Sequence, residues 1–182
     1  MEFKDSRTYQ NLLVAYKSEL EESTRLLIYG DIARSEGFIE ISRIYEVAAL
    51  NDKEHARIWY RRLNDGTLPN TLETLREADD EERSSANVMY QEFAAIAREE
   101  GFDDLAALFS GVANIDFNHS YEFRIQADNI EKEEVFCKPV NDLWICMQCG
   151  NIMSSLCAPA VCPVCSFPQG YYRLFRRECN IN

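Results

Sequence analysis

Asp52-Lys53-Glu54-His55 and, 64 residues further on, Asp116-Phe117-Asn118-His119 are the stretches on which the fold turns. His55 and His119 are the only histidines among the 182 residues, and each follows an aspartate by three positions. Residues at i and i+3 share a helix face, so each pair can offer one oxygen and one nitrogen to a single metal ion. The same offset relates Ala33-Arg34-Ser35-Glu36-Gly37-Phe38 to Ala97-Arg98-Glu99-Glu100-Gly101-Phe102. One supersecondary unit is therefore used twice. A single Asp-x-x-His is usually a surface pair, whereas two in register with a repeat point to metal.

Outward from these motifs the chain reads as helices. Leu12, Leu13, Tyr16, Leu20, Leu27 and Ile28 recur at helical spacings from Tyr9 to about Gly37. A second run extends from Ile39 to Asn64 and stops at Asp65-Gly66-Thr67-Leu68-Pro69. Glu73 to Glu100, closed by Gly101, is the third run, and Asp103 to Glu134 is the fourth. Four helices of about 25 residues each predict an antiparallel bundle assembled from two related hairpins.

A two-metal carboxylate site also needs an acid from each of the other two helices. Glu19 lies 33 residues before Asp52, and Glu82 lies 34 before Asp116. The spacings differ by one residue, and Glu21, Glu22 and Glu81 compete for the same role.

After Glu134 the pattern changes. Val135 to Leu143 contains Pro139 and has no helical period, which places a domain boundary near residue 137, between a helical domain (1–136) and a small C-terminal one (137–182). There, Cys146-Met147-Gln148-Cys149-Gly150 and Cys162-Pro163-Val164-Cys165 supply four thiolates, soft ligands that close a tetrahedral site for iron or zinc. Glycine after the second cysteine lets backbone amides approach the sulfurs. Gly150 fits this, and Ser166 holds the matching place after Cys165. Cys137, Cys157 and Cys179 remain outside the site; ligation is expected rather than disulfides, with Cys157 a small packed residue.

Hydrophobic residues make up 46% of the chain and charged residues 27%, which excludes a disordered protein. With 19 Lys and Arg against 31 Asp and Glu, the net charge of −12 argues against nucleic acid or an anionic membrane as partner. Met1-Glu2-Phe3-Lys4-Asp5-Ser6-Arg7 carries no apolar signal region, and a cytoplasmic location is expected.

The order Glu, acid-x-x-His, Glu, acid-x-x-His, then a Cys-x-x-Cys module, resembles the rubrerythrins over nearly the whole chain. Asn11-Leu12-Leu13, Glu36-Gly37-Phe38, Lys53-Glu54-His55-Ala56, Met89-Tyr90-Gln91-Glu92-Phe93-Ala94 and Val135-Phe136 leading through Trp144 to Cys146 carry the likeness, as do Pro163 and Phe167-Pro168. The resemblance implies a mainly α fold, a ferritin-like four-helix bundle followed by a rubredoxin-like domain. It implies a di-iron centre held by Glu19, Asp52, His55, Glu82, Asp116 and His119, with Tyr90 beside it, and one iron, or alternatively zinc, on Cys146, Cys149, Cys162 and Cys165. It further implies reduction of hydrogen peroxide to water, electrons arriving from a reductase or rubredoxin through the cysteine-bound iron, and a homodimer.

The chain departs from the family pattern at five positions. Asp52 and Asp116 stand where glutamate is usual, shortening each arm by one methylene. Ser85 replaces the second glutamate of the third helix, whose carboxylate the family links to a redox-dependent iron movement, and Leu26 replaces a second tyrosine. Glu22, where the family has a small residue, is a candidate extra ligand. Two other functions compete with the peroxidase: an iron-binding or ferroxidase-like protein without turnover, and an electron carrier that uses only the four cysteines.

Overall fold

The computed structural model of the chain describes residues 2–176. It divides between Pro69 and Asn70 into two compact units. In the first, α1 (Arg7–Ser35) and α2 (Ile39–Leu63) form a helical hairpin. In the second, α3 (Thr71–Ser84), a π-helical turn over Ser85–Met89 and α4 (Tyr90–Glu99) run on as one helix, against which α5 (Asp103–Glu131) packs. A three-stranded antiparallel sheet follows, with β1 (Cys137–Cys146) between β2 (Ile152–Cys157) and β3 (Tyr172–Leu174). Four long helical runs and a C-terminal cysteine-bearing sheet match the mainly α, ferritin-like class with a rubredoxin-like module. β1 begins at Cys137, and the break in compactness falls between the two hairpins.

The helix ends are set by caps. Ser6 accepts the Tyr9 amide at 3.1 Å and starts α1 two residues earlier than periodicity suggested. Asn70 and Glu73 exchange side-chain bonds with each other's amides at 2.7 and 3.0 Å, a capping box that begins α3 at Thr71 rather than Glu73. α5 stops at Glu131, short of Glu134, because Glu133 turns left-handed (φ 58°) and the Glu134 amide folds back onto the Asn129 carbonyl.

The repeat recurs at the turn and along the seam of both hairpins. Gly37 and Gly101 take φ of 87° and 84°, and the Phe38 and Phe102 amides close onto the carbonyls of Ala33 and Ala97 at 2.8 and 2.7 Å. Arg34 pairs with Glu46, and its counterpart Arg98 donates to Ser110, the residue matching Glu46, at 3.0 Å. The seam of each hairpin is built from small residues. Gly30, Ala33, Ser42, Ala49 and Ala56 are buried in the first; Ala94, Ala97, Ala106, Ala113 and Ser120, at the same offset, are buried in the second. Ser42, Ala49 and Ala56 recur every seventh residue, so one stripe of α2 faces α1 closely. A Cβ on Gly30 would stand 3.4 Å from the Ser42 carbonyl oxygen. The large apolar residues mark other faces: Leu20, Leu27, Ile28, Ile44, Leu50, Leu108 and Ile115 are exposed.

In the sheet module, Trp144, Cys146, Ala158, Cys162 and Tyr172 form a buried cluster with Phe136, Cys165 and Leu174 packed on it, and the Trp144 indole donates to the Ser155 carbonyl. The expected connector is partly strand: register breaks between Cys137 and Asp142, and Pro139, which has no amide hydrogen to give a ladder, lies inside the break. Cys137 and Cys157 are joined by a disulfide, which corrects the expectation that they are unlinked, and Cys157 is exposed rather than packed. They oppose each other directly across β1 and β2, a placement that strand pairing creates and linear spacing does not reveal. Cys179 lies outside the described residues. Among the described residues no helix is long and apolar enough to cross a membrane.

Candidate metal centres

Each hairpin carries one acid-acid-histidine triad. In the first, His55 Nδ1 on α2 lies 3.2 Å from Glu19 Oε2 on α1 and 3.6 Å from Asp52 Oδ1 on its own helix. In the second, His119 Nδ1 on α5 lies 3.6 Å from Glu82 Oε1 on α3, and Asp116 completes the group. Within each triad, one ligand atom per residue lies within 4.8 Å of the others. Ligands about 2.1 Å from a shared ion sit about 3.0–3.4 Å apart, so both donor sets fit a divalent metal with little side-chain movement. The four carboxylates are half-buried, whereas the imidazole side chains are 51% and 52% exposed.

The π-helical turn resolves the one-residue mismatch in the sequence. Gly37 lies 18 residues after Glu19, but Gly101 lies 19 after Glu82. A π-turn takes one more residue than an α-turn. Ser85–Met89, three residues beyond Glu82, holds the extra residue and leaves Glu82 opposite His119, as Glu19 is opposite His55. The sequence signal was the slip itself.

Other candidates stand apart. Glu22 is exposed and accepts from Ser18 at 3.1 Å one turn back along α1, so it is not drawn into the first triad. Glu21 pairs with Arg25, and Glu81 is exposed. Tyr90 packs with Phe93 and Phe109, ring centroids 6.2 and 6.1 Å away, beyond the π-turn from Glu82. Ser85 opens the π-turn. A contact not foreseen from sequence is the buried hydrogen bond from Ser120 Oγ to Asp79 Oδ1 at 2.6 Å. Asp79 precedes Glu82 by three and Ser120 follows His119, so the bond fixes α3 against α5 beside the triad. A serine at the buried seam position that Ala56 fills in the first hairpin was the available clue.

The four cysteines form the third cluster. Cys146 Sγ lies 3.7 Å from Cys165 Sγ, and Cys149 Sγ 3.7 Å from Cys162 Sγ. A tetrahedron of sulfurs about 2.3 Å from a metal has edges of about 3.8 Å, so these thiols have the spacing of a bound ion. The two knuckles are built alike. The Gly150 and Ser166 amides bond to the carbonyls of Cys146 and Cys162 at 2.8 and 2.9 Å, and those cysteines' amides bond to the Asn151 and Phe167 carbonyls at 2.9 and 2.8 Å. Both turns need a left-handed residue; Gly150 has φ 77°, and Ser166 takes φ 60° despite its side chain.

The cluster's protons are held unequally. Hydrogen bonding from Tyr172, joined by backbone amides of Cys165 and Val164, lowers Cys162 to about 6. The Phe167 amide favours the Cys165 thiolate, but burial and the three neighbouring thiols outweigh it and push Cys165 up to about 12. Cys149 also favours its thiolate through the Asn151 amide, with Cys165 acting the same way, yet burial and the Cys162 and Cys146 thiols outweigh them and raise it. Thiols crowded at this spacing resist becoming four thiolates until a cation compensates their charge.

The rubrerythrin family model matches residues 10–83. A rubrerythrin of Clostridium perfringens is 35% identical over 95% of this chain and 96% of its own. Rubrerythrin-1 of Clostridium acetobutylicum is 31% identical over 94% and 95%. The rubrerythrin of Nitratidesulfovibrio vulgaris is also 31% identical, over 94% and 95%.

Proposed function

The chain belongs to the rubrerythrin family of di-iron oxidative-stress proteins, and from that premise we propose that it is a non-haem di-iron peroxidase that reduces hydrogen peroxide to water. The observation that carries the proposal is the recurrence of one triad, Glu19-Asp52-His55 and Glu82-Asp116-His119, with matching donors and matching contacts. In this proposal the two triads are the ligands of the di-iron centre, and Cys146, Cys149, Cys162 and Cys165 hold a further iron. Bound there, iron would supply the two electrons that peroxide needs, with two protons, to become two waters, and iron on the four cysteines would pass on electrons from a reductase or rubredoxin.

The protein's own groups set the conditions. His55 and His119 direct Nδ1 at the carboxylates, which commits that nitrogen to ligation and leaves the other free to donate. The negative carboxylates favour cation binding, while the open imidazole edges admit a small, neutral oxidant. Asp79 and Ser120 hold the second triad's helices in place. In the cysteine site, backbone amides directed at Cys149 and Cys165 stabilise thiolate charge and so favour reduction of bound metal. A homodimer in the cytoplasm belongs to the same proposal, supported by family likeness.

The test is anaerobic. Iron-loaded, reduced protein is mixed with peroxide, and both the tetrathiolate absorption and the iron oxidation state are followed while a reductase and its donor are supplied. Repeated peroxide consumption that His55→Ala and His119→Ala abolish is the expected result. Iron binding without sustained consumption would replace the peroxidase by an iron-handling protein, and metal confined to the cysteines would replace it by an electron carrier.

A further inference from the structure

Among the described residues, two cysteines stand outside the four-cysteine cluster, and they are joined. Cys137 opens β1 and Cys157 closes β2, and the two are direct partners across the pair. We propose that Cys137 and Cys157 form a reversible thiol–disulfide couple, a second redox site of the β module that exchanges two electrons with an external dithiol while the tetrathiolate stays intact.

Access is the first argument. Cys157 is exposed and Cys137 half-buried, so an incoming thiolate reaches Cys157 Sγ and leaves Cys137 as the departing thiolate, which takes a proton. The donor's second thiol then resolves the mixed disulfide and frees the Cys157 thiol. The net change is one protein disulfide reduced to two thiols and one external dithiol oxidised to its disulfide.

Support from the surrounding backbone is the second. Holding the two strand ends together does not depend on the sulfur bond alone. The Ala158 amide, one residue past Cys157, donates to the carbonyl of Phe136, one residue before Cys137, at 2.8 Å and joins the two ends directly; Ser155 Oγ, donating to the Cys157 carbonyl, and the Gln169 side chain, donating to the Ala158 carbonyl, each at 2.6 Å, fix the β2 end. Phe136 and Ala158 belong to the packed cluster of Trp144 and Tyr172. After reduction the two thiols are still held opposite each other, so when an external disulfide reoxidises them, forming a mixed disulfide with one thiol, the closing attack by the other thiol, which releases the dithiol, is intramolecular and needs no search by the chain.

Separation from the ligands is the third. The metal-site sulfurs pair among themselves at 3.7 Å, and neither Cys137 nor Cys157 belongs to that group. The β1–β2 register is broken between Cys137 and Asp142 and regular from Asp142 onward. Movement at the couple is therefore taken up by Lys138–Asn141 and not by the knuckle that begins at Cys146.

The experiment uses the full, metal-loaded chain equilibrated anaerobically in buffers of graded reduced-to-oxidised dithiothreitol, then acid-quenched and alkylated, with labels counted at Cys137 and Cys157 by peptide mass spectrometry. The expected result is that both cysteines pass together from unlabelled to fully labelled in one step, that returning the buffer ratio restores protection, and that metal content does not change. In Cys157→Ser, Cys137 should label at every ratio. Full labelling at all ratios, protection that persists at every ratio until the protein unfolds, reduction that occurs only with loss of metal, or a Cys137 still protected in Cys157→Ser would each overturn the proposal.

Discussion

Deleting Asn87 from the π-helical turn should leave the second triad intact. The deletion shortens the distance from Glu82 to Gly101 from 19 residues to 18, the spacing of Glu19 to Gly37 in the hairpin that has no such turn. Where Ser85–Met89 stores the extra residue, its loss converts the turn to α-helix and keeps Glu82 in place. Where it does not, every residue before the deletion moves by one helical position, about 100° of rotation and 1.5 Å of rise. Glu82 would then shift by about 3.8 Å at Cα, the distance to a neighbouring residue. That exceeds the 3.6 Å separation of Glu82 Oε1 from His119 Nδ1, and the carboxylate would leave the triad. Anaerobic ferrous titration of the wild type, the deletion variant and His119→Ala distinguishes the two cases. The deletion variant should keep wild-type stoichiometry while His119→Ala loses one ion. A deletion that loses the same ion as His119→Ala would refute the register argument.

Other consequences can be measured separately. Ala49→Leu forces a large side chain into the α1–α2 seam, where Ala49 is 2% exposed, and should lower stability by about 1–3 kcal/mol in urea unfolding; Ala113→Leu should do the same in the second hairpin. Ser166→Gly removes a left-handed serine at φ 60° and should raise the unfolding midpoint of the β module by roughly 1 kcal/mol equivalent. In metal-free protein, Tyr172→Phe should move the first thiolate absorbance step, near 6 for Cys162, up toward the ordinary thiol range. Between about 6 and 9 the unfolded chain keeps the Cys162 proton that the folded chain has released, so wild-type apo stability should climb as pH rises through that window, and the contribution is fully lost, leaving a flat curve, once pH has fallen below about 6. The variant should show a flatter curve.

What could be read from the sequence was set by how local the determinant is. The helices follow from periodicity and stop signals, and the Asp-x-x-His pairs from spacing within one helix, so both were visible. The four-cysteine cluster follows from two short turns of known geometry. Glu19 and Glu82 were harder because each meets its histidine across a hairpin, and for Glu82 a π-turn intervenes. The heptad of Ser42, Ala49 and Ala56 is hard to read from sequence because small residues give little hydrophobic signal, whereas the conspicuous Leu and Ile residues mark exposed faces. Cys137–Cys157 depends on strand pairing across a register break, and Asp79–Ser120 on two helices 41 residues apart. Neither has a signature within a window of a few residues.

The same distinction between local and cross-helix contacts decides how the shortened acids matter. Asp52 Oδ1 meets His55 Nδ1 at 3.6 Å along one helix, so its short arm is matched to an intrahelical partner. Glu19 Oε2 meets the same nitrogen at 3.2 Å from the opposite helix, and needs its full length. Glu19→Asp withdraws that oxygen by about 1.5 Å, to about 4.7 Å from His55 Nδ1, too far to share an ion at about 2.1 Å from each. Asp52→Glu adds a flexible methylene that rotamers can fold back toward His55. Glu19→Asp should therefore weaken ferrous binding at the first triad by at least tenfold, about 1.4 kcal/mol, while Asp52→Glu should change it several-fold at most. Equal losses in the two variants would mean that the aspartate contributes more than a contact within its own helix.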